Sequence, residues 1–376
     1  MSPTVCLAAL TIDYPEGGGH NWVYLNWALG LRAQGCDVIW LETLKPGDHA
    51  RALPLITALK KRLAPYGLDE ALAVVSERGQ PLPPDIADKC LTFEAATEAD
   101  LLVNLWYQMP AHLVNSFRRT ALLDIDPGLL QRWMTQWEGM VAPHDIYLTT
   151  GETVGRPDAR FPDAGRDWHH LTPCIALDWW PVRPSEDDAP YTTVSHWQMG
   201  EYEYDGDEIY SNDKRTGFLP FIDLPAHTVA PLELALNLSE KDQDEADGWR
   251  RRGWRIRDSR EVATTVQEYQ AYIQSSRGEF SAVKPSCVRL QNAWISDRTL
   301  CYLASGKPAI IQDTGPSRVL PESGGLFRFH TVEQAAQAIK EIEENYDDHC
   351  KCARELAETH FDARTVATKL LEIGLA

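Results

Sequence analysis

The chain has 376 residues, 44% of them hydrophobic and 24% charged, with a formal net charge of −19. That length suits two domains of ordinary size, and the composition is that of a soluble globular protein. The excess of acid excludes a broad nucleic-acid or anionic-membrane surface, because phosphates would be repelled overall, yet it leaves room for a local basic pocket around one diphosphate.

Residues 5–10, Val-Cys-Leu-Ala-Ala-Leu, read as a first strand. No basic segment precedes this apolar run and a Gly-rich turn follows it, so it is not read as a signal peptide. No apolar run in the chain approaches a membrane span. Gly17, Gly18, Gly19 and His20 then lead into a helix over residues 21–33. Three glycines allow the backbone to approach a ligand closely. They form neither a dinucleotide fingerprint nor a P-loop. Residues 38–41 are the second strand, so the chain opens as a β-loop-α-β unit of a doubly wound sheet. Residues 45–80 read as helices, and residues 100–106 and 120–125 as buried strands. Asn104, Trp106 and Tyr107, and then Asp124 and Asp126, fall at carboxyl ends of strands, where such sheets hold their ligands.

Residues 145–152 are a further strand and loop, and residues 158–167 a surface loop. Trp179, Trp180, Pro181 and Pro184, followed by the acidic stretch 185–190, are the predicted linker. A second domain starts with a strand over 191–197, followed by an acidic, Tyr-rich loop over 198–213. Strands over 232–238, 254–257 and 279–283 alternate with helices over 243–252 and 264–276. The stretch 296–316 is the most informative of the chain. Ser296 and Asp297 are helix-start residues, Leu300, Leu303 and Ala304 give an apolar face, and Gly306 stops the helix. Ala309, Ile310 and Ile311 form a buried strand that closes in the turn Asp313-Thr314-Gly315. A helix start offers free amides and partial positive charge, so this one is a ready anion site. Three helices follow, over 331–346, 347–358 and 361–376. His349, Cys350, Cys352 and His360 match no common zinc spacing, and no metal is expected. The eight cysteines are scattered, as in a reduced, cytoplasmic protein. Most of the thirteen tryptophans are expected in the core, leaving Trp106 and Trp294 at strand ends for stacking.

The stretch Ala-Ser-Gly-Lys-Pro-Ala-Ile-Ile-Gln-Asp-Thr-Gly resembles the nucleotide-sugar segment of glycosyltransferases with the GT-B fold. The Gly-Gly-His opening is similar to the N-terminal loop of the same enzymes. The resemblance implies two doubly wound Rossmann-like α/β domains facing across a cleft: residues 1–184 for the acceptor, 190–360 for the nucleotide-sugar, and a final helix over 361–376 that crosses back to the first domain. It implies His20 as the base that deprotonates the acceptor, with Asp124 or Asp126 supporting the imidazolium. It implies donor contacts from Gly18, Gly19, Arg289, Asn292, Trp294, Ser296, Asp297, Arg298, Asp313, Thr314 and Gly315, with Arg298 as a cation for the leaving diphosphate. Many retaining members carry two Glu residues where this chain has Cys301 and Ala293, so inversion is favoured. The expected partners are a nucleotide-sugar and a small-molecule or glycan acceptor, without nucleic acid, membrane segment, cofactor or metal. The alternatives are an epimerase of the same fold, a phosphorylase, and a protein that holds nucleotide-sugar without turnover.

Overall fold

The structure, a computed structural model, describes residues 2–45, 49–198, 200–321 and 324–376. Residues 46–48 of the expected 45–80 helical stretch lie outside the described residues. The chain forms two compact units, Met1–Ala176 with Asp362–Ala376, and Leu177–Phe361.

The first unit is built on seven strands: β1 (Thr4–Ala8), β2 (Asp37–Leu44), β3 (Leu72–Ser76), β4 (Leu101–Asn104), β5 (Thr120–Asp124), β6 (Ile146–Thr149) and β7 (Trp168–His170). They lie in the order β3-β2-β1-β4-β5-β6-β7, and every pair is parallel. Central strands such as Leu-Leu-Val-Asn in β4 are buried along their whole length, as a sheet covered on both faces requires. The first helix, Gly18–Ala33, starts three residues before the expected position. It buries Trp22, Leu25 and Trp27. The last helix, Ala363–Gly374, also belongs to this unit, where Gln34 Nε2 donates to the Arg364 carbonyl at 2.9 Å.

The second unit holds β8 (Tyr191–His196), β11 (Leu232–Asn237), β12 (Arg255–Asp258), β13 (Gly278–Ser281), β14 (Ala309–Gln312) and β15 (Leu326–Phe329) in one parallel sheet, ordered β12-β11-β8-β13-β14-β15. A separate antiparallel hairpin, β9 (Tyr202–Asp205) and β10 (Glu208–Ser211), is inserted after β8. Trp197, Phe218, Phe221, Trp249, Trp254, Phe280 and Phe329 pack into one aromatic core. Trp180 is buried, its ring 6.5 Å from that of Tyr269, and Arg354 Nη1 donates to its carbonyl at 2.8 Å. The second unit therefore starts at Leu177, and the first residues of the expected 179–190 linker belong to its packed body.

The strand positions agree with the sequence reading except in four places. β3 lies inside the expected helical stretch, β7 and β15 were not expected, and the 198–213 loop is a hairpin. In both units the winding reverses beside the first strand, between β1 and β4 and between β8 and β13. The crevice outside the carboxyl ends at such a switch point is where doubly wound sheets bind ligands.

Candidate functional site

In the second unit, the carboxyl edge of β13 and β14 is shaped by two short segments that lock together. The helix Asp297–Ala304 starts at Ser296, whose side chain accepts from the Arg298 amide. The loop before it holds Gln291 and Ala293 at φ of 51° and 53°, a left-handed geometry rare for residues with a side chain. The Ala293 amide donates to the Thr314 carbonyl at 2.9 Å, and Thr314 Oγ1 donates to the Trp294 carbonyl at 2.7 Å. Gly315 has φ of 123°, and a Cβ there would stand 2.8 Å from the Gln291 carbonyl oxygen. Only glycine lets the 313–315 turn approach this loop. The fold thus brings together Asn292, Trp294, Ser296, Asp297, Asp313, Thr314 and Gly315, and sets them beside a helix start whose first-turn amides have no partner within the helix.

The cations differ from expectation. Arg298 points into the unit: its Nε donates to Glu279 Oε1 at 2.8 Å, Nη1 to the Val194 carbonyl at 3.0 Å, and Nη2 to Ser281 Oγ. Glu279 is fully buried, so this is a buried ion pair fixing the helix to the sheet. Arg289 is engaged by the hairpin, 2.8 Å from Glu208 and 3.4 Å from Asp205, with its guanidinium 4.2 Å from the centre of the Tyr210 ring. The cation beside the loop is Lys214, which the sequence reading did not single out. Its ammonium lies 5.9 Å from the centre of the Trp294 ring and donates to the Ala282 carbonyl at 3.3 Å, at the carboxyl end of β13. Burial, then the neighbouring Arg298 charge, holds its pKa down to about 7. Asp213 caps the short helix Lys214–Phe218. A Cβ at Gly217 would stand 1.9 Å from the Val283 carbonyl oxygen, so glycine there permits the approach that delivers Lys214. Sequence could have hinted at this. An Asx cap followed by Lys, in the first loop after the first strand of a doubly wound domain, is a ligand position. Cys301 is buried within its helix with Sγ against the Asp297 carbonyl at 3.3 Å. Burial raises its thiol pKa well above the usual value, so it does not replace a ligand-binding carboxylate.

The mouth of the first unit is aromatic and acidic. Glu42, buried at the carboxyl end of β2, accepts from the Thr11 and Ile12 amides at 3.0 and 3.2 Å and from Trp40 Nε1 at 2.9 Å, which pins the loop after β1. That loop delivers Gly18, Gly19 and half-buried His20 at the start of the first helix. His20 Nε2 lies 2.7 Å from the Leu10 carbonyl oxygen. A carbonyl only accepts, so Nε2 carries the proton and Nδ1 is the basic nitrogen. Tyr14 and Tyr24 meet the ring edge-on at 5.8 and 5.2 Å. Asp124 is fully buried and accepts from Gln131 Nε2 and Thr149 Oγ1, both at 2.7 Å, and from the Asp126 amide at 2.9 Å. Burial pushes its pKa up to about 7 despite those donors. Asp126 is less buried and accepts from Tyr107 OH at 3.2 Å.

His349, Cys350, Cys352 and His360 all sit on the helix Tyr346–His360. Among the described residues, no three His, Cys, Asp or Glu side chains converge as a metal site would need. Among the described residues no disulfide forms, and no described helix is long and apolar enough to cross a membrane.

No protein-family model matches the sequence, and no curated protein matches it. Solved structures do. Anabaena HepE, solved with UDP and glucose, is 11% identical with a TM-score of 0.58, covering 98% of each chain. An alpha-glucosyltransferase solved with UDP and a 13-mer DNA containing an HMU base is 11% identical with a TM-score of 0.60, covering 100% of each chain. A glycosyltransferase from Rickettsia africae is 12% identical with a TM-score of 0.57, covering 99% of this chain and 97% of its own. The DNA in the second of these means that the fold alone does not exclude a nucleic-acid acceptor. At such identities the likeness is one of architecture: the chain has the GT-B fold of glycosyltransferases.

Proposed function

We propose that the chain is a glycosyltransferase that moves a sugar from a nucleoside diphosphate-sugar to an acceptor hydroxyl by direct displacement. One observation carries this reading. The capped start of the Asp297–Ala304 helix, the strained loop before it, the 313–315 turn and the Lys214 ammonium meet at the carboxyl edge of β13 and β14. Amides and one cation in that arrangement suit two phosphates, whose negative charge grows as the glycosidic bond breaks. Lys214 takes the role expected of Arg298, and Arg298 holds the helix in place. Trp294 supplies an aromatic face beside the phosphates. Uracil is the first base to try, because relatives of this fold were solved with UDP.

The first unit takes the acceptor. His20 Nδ1 removes the hydroxyl proton as the oxygen attacks the anomeric carbon, and the Leu10 carbonyl holds the ring in the tautomer that keeps Nδ1 basic. Asp126 is the better carboxylate to support the imidazolium, because Asp124 is sealed among its own donors. The absence of the Glu pair of retaining relatives favours inversion. The acidic charge of the chain favours an acceptor without phosphate.

The test is donor binding followed by transfer. UDP at about a hundred times its dissociation constant should stabilise the chain by about 2.7 kcal/mol. UDP should be released only with an acceptor present. His20→Ala should keep UDP affinity and lower the transfer rate by roughly 10²–10⁴-fold. A full transfer rate in that variant removes the base. No thermal shift with any nucleoside diphosphate removes the reading, and donor binding without release across a broad acceptor panel leaves a binding protein.

A further inference from the structure

The β9–β10 hairpin is built the wrong way round for a simple surface element. An antiparallel ribbon on a domain ordinarily turns its apolar side inward and its charges to water. Here Glu203 and Tyr210, paired in register, are buried, and Asp205 and Glu208 on the same face both bind Arg289. The opposite face turns Tyr202, Tyr204 and Ile209 to solvent at 65%, 49% and 58% exposure, with Tyr204 directly opposite Ile209. Nine large hydrophobic side chains are exposed among the described residues, and three of them share this one small face. An apolar cluster left outward on a fixed element marks a binding surface.

The hairpin is also fixed in place. Arg289, from the helix Pro285–Leu290, clamps it through two carboxylates and the Tyr210 ring. Glu201 pairs with Lys284 at 2.6 Å, directly before that helix. Both anchors belong to the segment that leads from β13 into the 291–296 loop. The hairpin follows the carboxyl end of β8, so the platform sits on the ligand edge of its own sheet.

We infer that Tyr202, Tyr204 and Ile209 form a stacking platform for an extended saccharide that is neutral or amine-bearing. Three side chains cover on the order of a few hundred Å², far below the roughly 1,200 Å² that a stable protein interface needs, so a small ligand suits the surface better than a second copy of the chain. Glu201, Glu203, Asp205, Asp207 and Glu208 outnumber the Lys284 and Arg289 that anchor the hairpin, so the platform's surroundings stay net acidic and disfavour polyphosphates and anionic lipid. The two tyrosines, two residues apart on one strand, stand about 7 Å apart, close to the advance of an extended oligosaccharide per sugar. Their rings offer apolar faces to sugar C–H groups while the hydroxyls stay wet.

This inference rests on the glycosyltransferase reading, and its test keeps the two apart. The full chain is titrated calorimetrically with UDP and, separately, with cellohexaose, maltohexaose, N-acetylchitohexaose, chitosan hexamer and, as an anionic control, hexagalacturonate. At least one of the first four should bind and the control should not. Tyr202→Ser with Tyr204→Ser should weaken that binding at least tenfold with melting temperature and UDP affinity unchanged. No binding by any of the four, equal binding in the double variant, or a fall in solution mass caused by the double variant would each overturn the platform. If UDP itself fails to bind the unaltered chain, the donor reading fails instead.

Discussion

The two units share one winding and differ at their mouths. Both reverse direction beside the first strand, β1 against β4 and β8 against β13. The first unit fills its mouth with His20, Tyr14, Tyr24, Tyr107 and Asp126, groups that accept protons and stack. The second places Lys214 and a capped helix start at the same edge, groups that hold anions. The scaffold is therefore indifferent to the chemistry. The loops after the first, fourth and fifth strands of each sheet decide it, which is why one architecture serves donor and acceptor.

The contrast can be broken most severely at Arg298. Arg298→Ala strands Glu279 as an unpaired buried carboxylate, already lacking a partner for Oε2. The expected loss is roughly 3–5 kcal/mol, read by denaturant unfolding. A stable Arg298→Ala variant that has lost only UDP affinity would make Arg298 the phosphate cation after all.

Asp124 gives the next effect, in the first unit. Its folded pKa of about 7 lies above the ordinary value of 3.8, so the folded state holds more protons between those limits. Stability should fall as pH rises from about 4 through 7, by on the order of a few kcal/mol in total, and then level off. Subtracting the profile of Asp124→Asn isolates this slope. Equal slopes in the two proteins would show Asp124 ionised in the fold, and so free to support His20.

Gly217→Ala is smaller. The added methyl would meet the Val283 carbonyl, and overpacking of that kind costs about 1–3 kcal/mol. UDP affinity should fall with it, because the helix that carries Lys214 must shift. An affinity unchanged in the folded variant would separate Lys214 from the site.

Much of this was legible in the sequence, for local reasons. Ser296 as a cap, Gly306 at φ of 70° and the Ala309–Gln312 strand are set by neighbours within a few residues. β3 was not legible: Leu-Ala-Val-Val-Ser is short and follows a run of Leu and Lys at helical spacing. β15 hides because Arg328 interrupts its apolar pattern. The cations failed for another reason. Arg298 and Arg289 are neutralised by Glu279 and Glu208, 19 and 81 residues away, and no local pattern reveals such partners. Lys214 reads as a solvated lysine until the fold sets it beside Trp294, from 80 residues further along.

The central claim is that Lys214 is the cation of a diphosphate site. The most direct measurement is calorimetric titration of UDP into the unaltered chain and into Lys214→Met between pH 6 and 8.5. The unaltered chain should bind more weakly as pH rises through about 7 and take up protons on binding near neutral pH, because the diphosphate favours the charged ammonium. Lys214→Met should bind roughly 10–100-fold more weakly at pH 6, the worth of one charge-assisted contact, and lose most of the pH dependence. Equal affinities and equal pH profiles in the two proteins would contradict the account.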